Sequence, residues 1–488
     1  MKKNYCYIIV GLIFLLSFRF LSSMFCPFLN SDHAIAVMMI HYYELPHDIY
    51  AWGMNRMGTL IPLISQIFYH VLNLSPLLSE SIVHYAILLL GCLSFIHFIK
   101  SPFLKIIFAI VWFIPPMRLI DVTQFAFGIH YSLIAMACYL FDCSQKEKIR
   151  QCKFSRHAIL SLIVLLLIAV IWVSDMALVS VFLLLAVQLY FYLKKNPISF
   201  SMLKKAELYY ALAGIVLGIL FIHYGKSHSS SHYKYATFCT LKQLIHNVSY
   251  LGTSIRDFFV FRTPELFSSI HVYLVVIVLI FLATQIKKIK LNENVKKWFL
   301  IFFLDAILIL GIILISRWTY YNDVPRRYFT CPYISFSFAI ILLFDNLNIQ
   351  RKSRIALHVF LLTTVLMASI GTFYSLKYKW PQTLTPKVER GRALDKLGKI
   401  GIIADFWESY VNSCHNPELI KAIPHETSSV VVDNRVIKDV FEQKNIYVIK
   451  NRWLQSCPDT INEYGRMLIK DGDEFKIGDY EVCKYLKQ

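Results

Sequence analysis

Residues 158–193 read AILSLIVLLLIAVIWVSDMALVSVFLLLAVQLYFYL, with Asp175 their single charge. Basic clusters flank the stretch at Lys146–Arg156 and Lys194–Lys205. A bilayer core is about 30 Å thick and takes about 20 helical residues to cross. Thirty-odd apolar residues are too long for one crossing and fit two short ones, turning at Trp172-Val173-Ser174-Asp175. Lysine and arginine concentrate on the cytoplasmic side of a span. Both flanks therefore lie inside and the turn lies outside.

The whole chain reads the same way. Of its 488 residues 57% are hydrophobic, and its mean hydropathy is +0.52. Charge gathers in short runs between apolar segments instead of being scattered as on a soluble surface, which marks a polytopic α-helical membrane protein. The formal charge of +19 invites a nucleic-acid reading. Its placement opposes one: Lys2-Lys3, Lys287–Lys297 and Arg351–Arg354 also flank apolar runs, as anchors and contacts for anionic lipid headgroups do.

Further spans are expected at Tyr5–Phe25, Ser81–Ile99, Pro102–Ile114 and Gln124–Phe141, and then at 206–223, 271–284, 298–316, 329–344 and 355–374. Thr59–Leu74 carries Pro62, Gln66, His70 and Asn73, and parity makes it an amphipathic helix on the outer surface. The count is about 11, with the N-terminus cytoplasmic and the C-terminus outside. Tyr5–Phe25 follows Lys2-Lys3 as a signal peptide would, but its length and Arg19 make it an uncleaved first span.

Two domains are expected: a transmembrane domain over 1–376, with an outer loop at 26–77, and an extracytoplasmic C-terminal domain over 377–488. In the latter, strand-like runs occur at Ser429–Val432, Ile446–Ile449, Glu474–Ile477 and Tyr480–Val482, with turn residues between them. A small mixed α/β domain is the expected result. The 11 cysteines show no metal-ligand spacing. Cys414, Cys457 and Cys483 fall in this domain, where one disulfide or buried free thiols would both suit.

Asp32 leads the residues that could carry chemistry. A carboxylate beside the hydrocarbon boundary is costly, and such residues often mark sites. It could serve as a general base, or Ser31 or Asp32 could simply cap the helix that follows. Arg56, Arg118, Arg317, Arg326 and Arg327 lie on the outer side against the usual bias. They suit an anionic group, with Tyr328 beside the last pair, and headgroup snorkelling is the alternative for each. His33, Tyr50, Trp52, His130 and Asp175 are candidate cavity-lining residues, with a satisfied polar residue the alternative for His130 and Asp175. Asn247-Val248-Ser249 fits a glycosylation sequon, a common chance match.

Several short motifs then share one resemblance. Ser31-Asp32-His33-Ala34-Ile35-Ala36 and Trp52-Gly53-x-x-Arg56-x-Gly58-Thr59 resemble the first outer loop of GT-C membrane glycosyltransferases. Ile114-Pro115-Pro116 with Gly128-Ile129-His130, Trp172–Asp175, Arg326-Arg327-Tyr328-Phe329-x-x-Pro332 and Gly401–Tyr410 resemble later outer-face elements of bacterial members. The resemblance implies a polyprenyl-phosphate-linked sugar donor and a catalytic carboxylate, which falls on Asp32. It also implies transfer to a glycan, lipid or protein acceptor outside the bacterial inner membrane, in the periplasm. Arg56, Arg118, Arg326, Arg327 and Tyr328 would hold the donor phosphate, and Asp405, Trp407 and Tyr410 would help select the acceptor. His33 stands where many relatives have a second acid. No cofactor is implied, and a divalent cation, though possible, is not supported by ligand spacing, even with Glu44 and Asp48 nearby. The rival readings are a flippase or transporter of lipid-linked glycans and a polysaccharide polymerase. Spans nearly free of charge and without matching halves argue against a transporter.

Overall fold

The computed structural model describes residues 3–147, 151–196, 206–230, 237–261, 266–379, 384–428, 432–451 and 453–488. In chain order come α1 (Lys3–Leu21), α2 (Ser31–Tyr42), α3 (Leu60–Gln66), α4 (Pro76–His97), α5 (Pro102–Phe113) and α6 (Ala126–Ser144). Next are α7 (Lys153–Val173), α8 (Ala177–Lys195), α9 (Ala206–Ser227), α10 (Leu241–Phe259), α11 (Leu266–Thr284) and α12 (Glu293–Ile315). α13 (Arg317–Tyr321), α14 (Thr330–Asp345) and α15 (Arg351–Lys379) follow, and the tail adds α16 (Phe406–Ser413) and α17 (Asn434–Glu442).

The chain is a polytopic α-helical membrane protein. Among the described residues, 9 helices are long and apolar enough to cross a bilayer. The other two expected crossings, α1 and α5, are shorter apolar helices. The 12 residues of α5 extend about 18 Å at 1.5 Å per residue, well under a bilayer's thickness. α7 and α8 end and begin around residues 174–176, where the sequence placed the turn.

The chain divides into two compact units. The first comprises Met1–Ser17, Ala86–Phe221 and Lys234–Gln382. Within it α6 packs on α7, α12 on α14 and α11 on α15. Its centre is aromatic: the Phe95 ring lies 4.6 Å from Phe338, 5.1 Å from Phe108 and 5.3 Å from Phe302, tilted in each case. Such pairs add about 1 kcal/mol each beyond area burial. The sequon residue Asn247 is buried here and donates Nδ2 to Leu314 O at 2.8 Å, so its amide is not presented for modification.

The second unit comprises Phe18–Tyr85, Ile222–Tyr233 and Thr383–Gln488. Its sheet runs β2-β1-β3-β7-β5-β4, with β6 against β7. The strands are β1 (Ile400–Ala404), β2 (Ile420–Pro424), β3 (Ile446–Lys450), β4 (Thr460–Glu463), β5 (Arg466–Lys470), β6 (Phe475–Ile477) and β7 (Tyr480–Lys487). β2, β1 and β3 are parallel and the remaining pairings antiparallel. Every residue of β1 and β2 is buried, which accounts for the unbroken apolar run of β1; β2 is interrupted by Lys421. The β3, β6 and β7 runs were legible in the sequence; of the Ser429–Val432 run, residues 429–431 lie outside the described residues. Cys457 and Cys483 form a disulfide, while Cys414 is a buried free thiol.

The tail does not build its core alone. Ala34, Ile35, Val37, Met38 and Met39 of α2 share one apolar cluster with Ile403, Tyr410, Ile423, Val436, Val440 and Val448. Burying each large aliphatic side chain contributes about 2 kcal/mol, which fastens α2 to the sheet domain.

Candidate functional site

α2 begins after Asn30, whose extended backbone ends the preceding loop and whose own side chain makes no capping hydrogen bond. Asp32 lies inside the first turn, 8% exposed, where the helix dipole favours a negative charge. His33 beside it is also buried.

The partner of α2 is α16, from the Gly401–Tyr410 motif. Asp405 accepts a hydrogen bond from Trp407 N at 2.9 Å and starts that helix as its cap. Small residues let the two helices meet closely. Tyr410 N donates to Ser31 Oγ at 3.3 Å, and Ser413 Oγ donates to Met38 Sδ at 3.2 Å. Two motifs whose contacting residues are 379 positions apart in sequence thus lie side by side within one unit. Tyr410 is buried in this contact, whereas Trp407 is exposed.

The loop after α2 is folded around Asp48. Its side chain is fully buried and accepts Glu44 N at 2.7 Å and Trp52 Nε1 at 3.0 Å. Thr59 Oγ1 donates to Asp48 O at 2.6 Å, and Gly53 N donates to Ser230 Oγ at 3.1 Å. Trp52 and Tyr50 are both buried, and Trp52 packs 6.0 Å from the Tyr410 ring. Arg56 is half-buried in the same loop.

Arg435, at the start of α17, closes this assembly. Its Nη2 donates to Asp48 Oδ1 at 2.6 Å and to Asp433 Oδ2 at 2.8 Å. Its Nε reaches Asp433 Oδ1 at 3.0 Å and its Nη1 reaches Tyr42 O at 2.7 Å. Burial works against the Arg435 charge, but the Asp433 and Asp48 carboxylates outweigh it and hold its pKa above the ordinary value. Burial likewise opposes the Asp433 charge, yet Arg435 leaves that carboxyl below its usual range. Asp433 and Arg435 were not singled out in the sequence, and Asp48 was named there only as a neighbour of a cation site. The available signal was weak: an aspartate that caps α17, accepting from Arg435 N at 2.8 Å, after an apolar run.

His47, Asp48 and Asp433 offer three ligand atoms within 4.8 Å of one another. The guanidinium of Arg435 already engages both carboxylates, so this trio does not fit a cation. Cys457, Glu474 and Cys483 cluster similarly, but both thiols are consumed by the disulfide.

The first unit holds the remaining candidates. Arg118 sits on the turn Met117–Val122, which packs against the turn Arg326–Phe329 carrying Arg326, Arg327 and Tyr328. Arg326 stacks 4.6 Å over Phe258, and Arg327 lies 5.8 Å from the Tyr328 ring. Asp175 is half-buried at the α7–α8 turn. His130 is fully buried in α6, stacked on Tyr131, with Nε2 3.1 Å from Ser180 Oγ. That contact leads to a carboxylate inside a membrane span, which the sequence reading did not single out. Asp305 of α12 accepts from Tyr131 OH at 2.6 Å, Ser180 Oγ at 2.5 Å and Ser335 Oγ at 2.5 Å. Its signal was present, since an aspartate within an apolar span needs internal partners.

No family model and no curated protein sequence matches the chain. Solved structures do. ArnT from Cupriavidus metallidurans bound to undecaprenyl phosphate superposes over 99% of this chain and 98% of its own, with TM-score 0.58 at 8% identity. ArnT in the apo state gives TM-score 0.53 at 9% identity with the same coverage. The chain has the GT-C fold. The archaeal oligosaccharyltransferase AglB from Archaeoglobus fulgidus is more distant, with TM-score 0.46 at 11% identity over 92% of this chain and 70% of that one. Within the GT-C fold the membrane helices and the mixed sheet domain are both accounted for.

Proposed function

We propose that this chain is an integral-membrane glycosyltransferase that moves a sugar from a polyprenyl-phosphate-linked donor to a glycan, lipid or protein acceptor. The observation that carries the reading is the structural likeness, over 99% of the chain, to ArnT bound to undecaprenyl phosphate. The positive-inside arrangement of the basic loops supports a cytoplasmic N-terminus and a sheet domain in the periplasm of a bacterial inner membrane.

In this reaction Asp32 takes the proton of the acceptor hydroxyl as its oxygen attacks the anomeric carbon. The bond from that carbon to the phosphate oxygen breaks, and polyprenyl phosphate leaves with the electron pair. Direct displacement inverts the anomeric centre. The leaving charge needs cationic donors. Arg118, Arg326 and Arg327, gathered with Tyr328, are candidates, as is Arg56.

The test is transfer of labelled sugar from polyprenyl-phosphate donors by the purified protein in detergent. Loss of transfer in Asp32→Asn, with donor binding kept, supports the reading. Equal transfer by both proteins removes Asp32 from the mechanism. Flipping of lipid-linked glycan in liposomes without transfer overturns the enzyme in favour of a transporter.

A further inference from the structure

Beside Arg435 the second unit has a cleft of about 460 Å³, lined by Glu44, His47, Ser230, Asp433, Asn434 and Arg435 among others. It is large enough for a sugar ring with its hydroxyls and shell of contacts. We propose that this cleft binds an uncharged glycosyl ring, which deepens the glycosyltransferase reading by placing a sugar subsite in this unit.

The charges decide the ligand class. Two lining carboxylates, Glu44 and Asp433, face one cation, with buried Asp48 directly behind it. An arginine has five N–H donors. Those of Arg435 are already directed at Asp433, Asp48, Tyr42 O and Glu44, with His47 Nδ1 3.1 Å away. The guanidinium is thus spent within the protein, and the surplus negative charge repels a phosphate or a uronate. What remains for a ligand is polar, net negative and acceptor-rich. The Glu44 side chain is 71% exposed and can accept from sugar hydroxyls. The Asn434 carboxamide is exposed and has no hydrogen-bond partner among the described residues, so it offers both a donor pair and an acceptor. Ser230 adds a hydroxyl. Buried charge beneath exposed carboxylate, amide and hydroxyl groups presents the hydrogen-bond donors and acceptors that a polyol requires.

Ligand-observed NMR on the purified full-length protein tests this, using methyl glycosides of neutral hexoses and pentoses, with glucuronate and inorganic phosphate as anionic probes. Neutral glycosides are expected to bind and the anions not to. Glu44→Gln and Asn434→Ala, both at exposed positions, are each expected to weaken binding about tenfold, the scale of one lost hydrogen bond to a well-placed polar group. No binding of any neutral glycoside, preferred binding of the anions, or unchanged binding in both variants overturns the proposal. Transfer kinetics separate the two sources of the ring. A raised KM for acceptor in the variants assigns the cleft to the acceptor glycan, and a raised KM for donor assigns it to the donor sugar. If KM for both is unchanged in an active enzyme, the subsite is overturned. Binding without any transfer leaves the subsite standing and refutes the glycosyltransferase reading alone.

Discussion

Arg435 Nη2 lies 2.6 Å from Asp48 Oδ1, joining residues 387 positions apart in sequence. The pair ties the loop after α2 to the first turn of α17. Asp48 has no exposed side-chain surface, so loss of its partner strands a buried charge. Breaking such a pair typically costs about 3 kcal/mol. Arg435→Met is expected to lower the unfolding stability of the second unit by about that much, and Asp48→Asn combined with it by less than the sum. A double-mutant cycle followed by tryptophan fluorescence checks this, with an expected coupling of about 1–3 kcal/mol. Additive effects would mean that the two residues act independently.

His41 predicts the acid response of the same unit. Its Nδ1 lies 3.1 Å from Tyr69 OH and its Nε2 lies 3.2 Å from Lys421 Nζ. The ammonium can only donate, so Nε2 accepts and the ring is neutral. Burial first, and the Lys421 charge second, lower its pKa from 6.5. A histidine with a lowered folded pKa contributes stability that is present above the unfolded value and lost as pH falls through the folded one. Thermal unfolding measured from pH 7.5 down to 4.5 is expected to show stability declining below about pH 6.5, with His41→Gln removing part of the slope. Asp433, whose folded pKa is depressed from 3.8, adds a separate loss at lower pH.

Asp305 predicts the response of the membrane helices. Three hydroxyls, from α6, α8 and α14, converge on its carboxylate. Asp305→Ala is expected to cost about 3 kcal/mol, because all three donors lose their acceptor within an apolar environment. Asp305→Asn keeps an acceptor oxygen and is expected to retain about half of that. The buried thiols Cys138 and Cys331 report on it directly: their reaction with a thiol reagent in detergent is expected to speed up in the order wild type, Asp305→Asn, Asp305→Ala.

Cys457–Cys483 closes a loop with a sequence separation of 26, for which the loop-entropy relation gives about 3.5 kcal/mol. Reduction, or Cys483→Ser, is expected to destabilise the sheet domain by roughly that amount while leaving helix content in the membrane unchanged. Circular dichroism and limited proteolysis of the tail check both halves of the statement.

Gly401 carries a packing constraint of another kind. A Cβ placed there would meet Val440 O at 2.5 Å, so α17 lies directly against the backbone of β1. The obstacle is backbone and cannot swing aside. Gly401→Ala is expected to cost at least about 2 kcal/mol, consistent with overpacking of a close contact. An unfolding stability equal to wild type would show that the helix shifts freely.

By itself the sequence determined the membrane class, most of the crossings and the existence of a sheet-bearing tail. Those properties depend on local hydropathy, charge beside each span and alternation within each strand, all of which are visible within about 20 residues. It also singled out Asp32, since an acid past an apolar helix stands out without any partner. Only tertiary structure decided what lies next to that acid. The packing of α2 on α16, the burial of Tyr50 and Trp52, and the Asp48–Arg435–Asp433 assembly all join residues hundreds of positions apart. The choice of Cys457 with Cys483 over Cys414 is of the same kind, because β7 and the segment before β4 meet only once the sheet is formed. Asp305 falls between the two. The sequence showed a charge inside a span, but its three hydroxyl partners lie on three other helices, and helix-to-helix register is set by side-chain fit that no single segment records.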